Sequence, residues 1–260
     1  MNDQDYLAAR LSDLAAKTWR QDILTHTNFL TAAEQAFLKD LQRGALSDRR
    51  LDPVPVTLWG GFEEAERQCA VFLPSYLSEE SVPGEIVTCL RCRPLQARFA
   101  DELTHRDFLG ALMNLGIERE MVGDILIDSS KSEAYIFVMT PLAETVAKEL
   151  TRVRHTSVAV GEVPFETCAV RPAFEERDGF ISSERLDAVA ALVYRLSRSK
   201  AHKLIADEAV SVDGRLISNA GYVIRAGAKV TVRGFGKFIY DGADGHSKKG
   251  RLHAHVRVYK

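Results

Sequence analysis

The chain has 260 residues, of which 46% are hydrophobic and 27% charged, a balance that is ordinary for globular proteins. No apolar run approaches the ~20 residues that a membrane-spanning helix requires, so the sequence predicts no association with a membrane. The first residues, Met1 to Asp5, are polar and acidic, unlike a secretory signal or a transit peptide, and we therefore expect a cytoplasmic protein.

In chain order, residues 1–80 are predicted to form an N-terminal mixed domain of helices and strands. Apolar residues recur at helical spacing between residues 3 and 18, which predicts an amphipathic helix. Thr31 and Glu34 have the spacing of a capping box, so a second helix should begin there. Strands are expected from Val54 to Trp59 and from Cys69 to Leu73.

Residues 84–162 are predicted to form a second domain with the order β-α-β-β-α-β. Its helices should start near Thr104 and Pro141. The order is that of the split βαβ, or ferredoxin-like, fold, which RNA-recognition domains share. Tyr135 and Phe137 are two residues apart in a predicted strand and would share one face. They could stack on RNA bases or belong to the core, and the sequence leaves both alternatives open.

Cys89 and Cys92 have the C-x-x-C spacing that is found in zinc and redox sites. A tetrahedral zinc site needs four ligands, and the chain has 4 cysteines with no second pair at this spacing. The pair also falls in a predicted strand, where an offset of three places two side chains on opposite faces. We therefore expect structural thiols and neither a metal nor any other cofactor.

Residues 163–180 contain two prolines and an acidic run and are predicted to be a linker. The C-terminal domain, residues 181–260, should open with a helix that begins after Ser182 or Ser183. A second helix should be capped by Ser197, and Asp213-Gly214 predicts a tight hairpin because both turn positions need positive φ. The overall fold class is thus α+β, with several domains.

Charge is divided unevenly along the chain. Residues 180–260 hold 15 Lys and Arg against 7 Asp and Glu, whereas the preceding residues hold 19 against 29. A basic end on an acidic body indicates nucleic acid as a partner, because fixed cations bind the phosphate backbone. Asp187 should orient a neighbouring arginine rather than contact phosphate. The candidate RNA-binding residues are Arg185, Asp187, Ser197, Arg198, Lys200, Lys203, Arg233, Lys237, Lys248, Lys249 and Arg251.

The order of segments in this region resembles the S4 (S-four) RNA-binding domain, also called the αL motif. The segments are Arg185-Leu186-Asp187, Ser197-Arg198-Ser199-Lys200-Ala201, Val210 to Gly214 and Val232 to Phe238. The resemblance implies that the two helices and the following loop dock on structured RNA.

Further segments resemble the YlmH family of bacterial proteins. They include Gly60-Gly61-Phe62, His105 to Met113, Gly123 to Leu126 and Lys248 to Arg251. The family resemblance implies an N-terminal mixed domain, a central RNA-recognition-like domain and a C-terminal S4 domain. It also implies binding to ribosomal RNA and tRNA on the large ribosomal subunit, in ribosome-associated quality control. Some members carry a cell-division label. Apart from the resemblance, we expect a monomer, because no coiled-coil heptads or long exposed edges suggest a larger assembly.

Two other functions stay open from the residues alone. An RNA-modifying enzyme of the pseudouridine synthase type is suggested by Arg185-Leu186-Asp187, although the Thr-x-Gly-Leu that follows in those enzymes is absent. His105 and Asp107 could form a general acid–base couple, but helix capping explains Asp107 better. A protein adaptor linked to cell division could use the acidic N-terminal part. We expect a binding protein rather than an enzyme.

Overall fold

The computed structural model describes residues 3–44, 51, 53–63, 65–81, 86–168, 170–247 and 250–259, apart from the side chains of Asp3 and His246. The chain divides into two compact units, Met1–Arg171 and Pro172–Lys260. Within the described ranges, no helix combines the length and the apolar character that crossing a membrane requires.

The first part of unit 1 is a sheet in the antiparallel order β1-β3-β2 with two helices on one face. Its elements are α1 Asp3–Gln21, β1 Thr25–Leu30, α2 Ala32–Gln42, β2 Val56–Trp59 and β3 Gln68–Phe72. The predicted capping box is confirmed, since the Glu34 carboxylate accepts from the Thr31 backbone N–H at 2.6 Å. Strand β1 was not predicted, because Thr25 and Thr27 fill positions that are buried.

The second part of unit 1 has the predicted β-α-β-β-α-β order. A short extra strand lies between the second helix and the last strand in the chain, and it forms one edge of the sheet. Its elements are β4 Val87–Pro94, α3 His105–Asn114, β5 Val122–Ile127, β6 Ala134–Met139, α4 Thr140–Glu149, β7 Arg152–Val153 and β8 Thr156–Val163. The antiparallel strand order is β5-β6-β4-β8-β7, with α3 and α4 packed on one face. This is the split βαβ arrangement.

The two sheets of unit 1 pack face to face, so the boundary predicted near residue 80 does not separate two compact units. Phe29 and Val71 of the first sheet share one buried cluster with Cys89 and Phe137 of the second. Unit 1 therefore has four layers: helices, sheet, sheet and helices.

The C-x-x-C pair lies on opposite faces of β4, as predicted. Cys92 belongs to the core under α3 and α4, whereas Cys89 belongs to the core between the sheets. All four cysteines are buried and unpaired by disulfides. Burial raises the pKa of the Cys92 thiol to about 12, which makes it a poor metal ligand or nucleophile at neutral pH.

Unit 2 is a sheet in the order β11-β10-β12-β13-β14-β9, with two helices on one face. Its elements are β9 Phe174–Ile181, α5 Leu186–Tyr194, α6 Arg198–Ala206, β10 Val210–Val212, β11 Arg215–Leu216, β12 Ala228–Val232, β13 Gly236–His246 and β14 Leu252–Tyr259. The predicted hairpin turn is confirmed, with φ of 49° at Asp213 and 82° at Gly214.

Two predictions in this region are wrong. Residues 163–180 were predicted to be a linker, but the second half of this segment belongs to strand β9. That strand pairs with β14 along its whole length, from Phe174 to Ile181. Helix α5 begins at Leu186 rather than just after Ser182 or Ser183. The reason is that the preceding backbone is held extended: Ile224 N–H donates to the Glu184 carbonyl at 3.0 Å, and Leu186 N–H to the Tyr222 carbonyl at 2.8 Å.

Candidate RNA-binding surface

Asp187, in the first turn of α5, joins the two helices of unit 2 at their N-terminal ends. Asp187 is buried, with only 3% of its surface exposed. Arg185 donates to both carboxylate oxygens at 3.2 Å, and Arg198, the first residue of α6, donates to Oδ2 at 2.7 Å. The two arginine side chains stay 43% and 46% exposed. Asp187 thus orients two guanidinium groups that stay partly exposed to solvent, as expected of a residue that positions a neighbouring arginine.

The Asp187 carboxyl is charged at neutral pH. Burial raises its pKa, but the hydrogen bonds from Arg198 and Arg185 outweigh that effect and leave the pKa below the ordinary value. Two cations on one anion leave a net positive charge at the surface. We name Arg185, Asp187 and Arg198 the arginine clasp.

Helix α6 continues this surface with exposed lysines. The Ser197 hydroxyl accepts from the Lys200 N–H at 3.2 Å and caps the helix, as predicted. Ala201 and Ile205 are buried against the rest of the unit. Lys200 and Lys203, three residues apart, therefore lie on the opposite, exposed side of the helix.

Phe235, in the turn between β12 and β13, is a candidate contact that the sequence analysis missed. Its side chain is 39% exposed, with the Lys200 Nζ 5.7 Å and the Tyr194 ring 5.4 Å from its ring centroid. An exposed aromatic ring beside a cation can stack on an unpaired base. The available signal was an aromatic residue between Gly234 and Gly236, both of which have positive φ.

The structure brings some of the remaining predicted residues to this surface and not others. Arg233 lies beside the segment that follows α6, at the end of the helix opposite to the arginine clasp, where its Nη2 is 3.4 Å from the Glu208 carbonyl. Arg251 donates to the Phe180 carbonyl at 2.6 Å, two residues before Ser182, whose hydroxyl accepts from Arg198 at 3.3 Å.

Lys237 is another predicted contact that lies elsewhere. It precedes the fully buried Phe238 on β13, and alternation along a strand places it on the face away from the helices. Lys248 and Lys249 lie outside the described residues.

Comparisons with known proteins match the regions that carry these residues. Residues 184–230 match the sequence model of the S4 domain, and residues 95–167 match the one described as "Putative RNA-binding domain in YlmH". The chain is 30% identical over 230 residues to a Bacillus subtilis protein named "Ribosome-associated protein quality control protein P2", covering 86% of this chain and 83% of that relative. The chain belongs to the YlmH family. It is an S4 RNA-binding protein, as the sequence predicted.

Among solved structures, a YlmH protein is also similar. It is the "Cell division protein ylmH from Streptococcus pneumoniae", which is 22% identical with a TM-score of 0.49. The match covers 65% of this chain and 96% of that one.

In this YlmH-family chain, the aromatic pair on β6 belongs to the core. Phe137 is fully buried and Tyr135 is 7% exposed, because the sheet of β1 to β3 covers this face. The Phe62 ring lies 5.0 Å from that of Phe137. Of the two alternatives for this pair, base stacking and core packing, the structure selects core packing.

Two of the YlmH-like segments of unit 1, Gly60 to Phe62 and Gly123 to Leu126, join its two sheets. A Cβ at Gly61 would lie 2.4 Å from a Phe137 ring carbon, so a larger residue does not fit. The Asp124 carboxylate accepts from the backbone N–H groups of Glu66 and Arg67 at 2.6 and 3.2 Å. Arg67 in turn donates to the carbonyls of Val122 at 3.0 Å and of Phe29 at 3.1 Å. These segments are explained by packing.

Proposed function

We propose that this protein is a non-catalytic RNA-binding factor that associates as a monomer with the large ribosomal subunit and takes part in ribosome-associated quality control in the cytoplasm. The arginine clasp carries the proposal, since a buried carboxylate fixes two guanidinium groups toward solvent. Arginine forks of this kind match the geometry of phosphate oxygens. The name of the Bacillus relative, and the basic charge of residues 180–260, support a ribosomal RNA or tRNA ligand.

The surface is better suited to binding folded RNA than to enclosing one base in a pocket. Arg185, Arg198, Lys200 and Lys203 present cations, and the first two are held by hydrogen bonds. Phosphate contacts fix position without reading sequence, so shape would provide specificity. Phe235, beside Lys200, would add stacking on a base that is splayed out of a helix.

The candidate catalytic groups are engaged in structural contacts, which supports a binding role. The aspartate of Arg185-Leu186-Asp187 is buried and accepts three hydrogen bonds, so it is not presented as a nucleophile. Asp107 accepts from the backbone and hydroxyl of Thr104 at 2.8 and 2.7 Å and caps α3. A capping carboxylate is a poor general base, because these bonds lower its pKa.

The test is cosedimentation of the full chain with purified ribosomal subunits across a salt series, beside the variant Lys200→Ala/Lys203→Ala. These lysines are chosen because removing Arg198 would also disturb Asp187. We expect large-subunit binding that falls steeply with salt and is weaker in the variant, whose salt slope should fall by about two, one for each phosphate contact.

The matched control is Lys17→Ala/Lys39→Ala, which removes the same charge from exposed helix positions of unit 1. It should bind like wild type. Binding to neither subunit, or equal loss in both variants, would contradict the proposal. In that case, a partner protein that still co-purifies with the chain after RNase treatment would favour the adaptor function.

A further inference from the structure

The outer face of the unit 2 sheet carries a cluster of histidine and aspartate side chains. His253 and His255 are two residues apart on β14 and share the face opposite to the buried Ala254. Asp244 of β13 is the register partner of His253, and Asp178 of β9 is the register partner of His255. Three neighbouring strands therefore place two imidazoles and two carboxylates together.

The distances within this cluster are those of a metal site in which two ligands flank a central carboxylate. His255 Nε2 lies 3.0 Å and His253 Nδ1 lies 3.7 Å from Asp244 Oδ1. One ligand atom from each of the three residues lies within 4.8 Å of the others. Ligand atoms bound tetrahedrally at ~2.0–2.1 Å from zinc are about 3.3 Å apart, so small side-chain rotations suffice.

We propose that Asp244, His253 and His255 form a binding site for a divalent transition metal of the zinc class. Two imidazoles and a carboxylate are ligands that zinc prefers, whereas magnesium and calcium prefer oxygen alone. Three protein ligands leave a fourth position for water. The site would tie β13 to β14 just before the turn that joins them.

Asp178 gives the cluster a feature that a chance pair of histidines lacks. Its Oδ2 lies 2.7 Å from His253 Nε2, so it fixes the tautomer that carries a proton on Nε2 and leaves the Nδ1 lone pair toward Asp244. Metal-bound histidines commonly donate their other ring N–H to a carboxylate in this way, and losing that partner weakens metal binding 10- to 100-fold.

Among the described residues, the arginine that follows His255 on β14 is paired with another carboxylate. Arg257, two residues beyond His255, places its guanidinium on Asp241, with Nη2–Oδ1 at 2.8 Å and Nε–Oδ2 at 3.0 Å. That bidentate pair neutralises the charge of Arg257.

The test is titration of the full-length, tag-free protein with Zn²⁺ by calorimetry, and with Co²⁺ by absorption spectroscopy. We expect one ion per chain and Co²⁺ bands without thiolate charge transfer. His255→Gln and Asp244→Asn should each weaken binding at least tenfold, and Asp178→Ala 10- to 100-fold. The control His202→Gln removes an exposed histidine of α6 and should bind like wild type. Circular dichroism melts in EDTA establish that every variant is folded.

Three results would overturn the site. The first is a wild-type affinity for Zn²⁺ that is no higher than that of the His253→Gln/His255→Gln variant. The second is the appearance of thiolate charge-transfer bands in the Co²⁺ spectrum, which would show that the ion binds to cysteine instead. Unchanged binding in Asp178→Ala would mean surface adsorption by two histidines rather than a positioned site.

Discussion

Replacing Asp187 with asparagine removes a negative charge from a surface that binds a polyanion, so a count of charges predicts tighter RNA binding. We expect weaker binding. The carboxylate accepts three hydrogen bonds from Arg185 and Arg198, whereas asparagine has one acceptor oxygen and turns two donors toward them. Fixing one long side chain on binding costs about 0.5–1.5 kcal/mol, so two freed arginines cost about 1–3 kcal/mol.

That cost corresponds to an increase of about 5- to 150-fold in Kd. The opposing gain is smaller, because one charge at 4 Å contributes about 1 kcal/mol in water and Asp187 lies behind its two arginines. The assay is filter binding of purified large-subunit rRNA to wild type and to Asp187→Asn. Asp207→Asn, at the exposed C-terminal cap of α6, is the control and should bind as well as wild type or slightly better. Equal or tighter binding by a folded Asp187→Asn protein would refute the reasoning.

Three further predictions concern stacking, packing and pH. Phe235→Ala should lose about 1–3 kcal/mol of RNA binding with an unchanged salt slope in the same titrations, and a lowered slope would mean that Phe235 does not act by stacking. Gly61→Ala should lower the unfolding free energy in urea by roughly 2–5 kcal/mol, since Gly61 has φ of 96° and its Cβ would overlap the Phe137 ring; a loss below 1 kcal/mol would be inconsistent with that packing. The folded-state pKa of Asp187 is lowered, so its contribution is present above the unfolded pKa of about 3.9 and is lost as pH falls through the folded value. Urea unfolding should therefore show a wild-type advantage over Asp187→Asn at neutral pH that shrinks in acid, and an advantage independent of pH would contradict this.

Local rules were sufficient where a structural feature depends on neighbouring residues. The capping box at Thr31 and Glu34, the Ser197 cap and the Asp213-Gly214 turn each depend on side chains within a few positions. These features are present where the sequence predicts them.

Elements that depend on distant partners were missed. Strand β9, with the sequence Phe-Glu-Glu-Arg-Asp-Gly-Phe-Ile, has one buried residue, Ile181, and has the composition of a charged linker. It forms because β14, more than 70 residues later, supplies backbone partners along its whole length. Strand β1 was missed for another reason: its buried Thr27 is polar, and its hydroxyl accepts from the Ala70 N–H at 2.9 Å.

The candidate RNA-binding surface shows the same difference between features that depend on neighbouring residues and features that depend on distant ones. Charge and motif order located the basic helix α6, but the contact between Arg198 and Asp187 joins residues 11 apart and depends on how the two helices pack. Alternation alone could not decide whether Phe137 faces solvent or a second sheet, because the covering strands come from the first 72 residues.

The most direct test of the central claim is site-specific photo-crosslinking to purified large ribosomal subunits. A benzoylphenylalanine replaces His202, which is exposed on α6 between Lys200 and Lys203, and the same probe at Trp19, exposed on α1 of unit 1, is the comparison. We predict RNA crosslinks from position 202 that map to one region of rRNA or tRNA and that are lost in the Lys200→Ala/Lys203→Ala background. Crosslinks from position 202 to protein alone, or RNA crosslinks unaffected by removing the lysines, would contradict the claim that α6 and the arginine clasp form the RNA-binding surface.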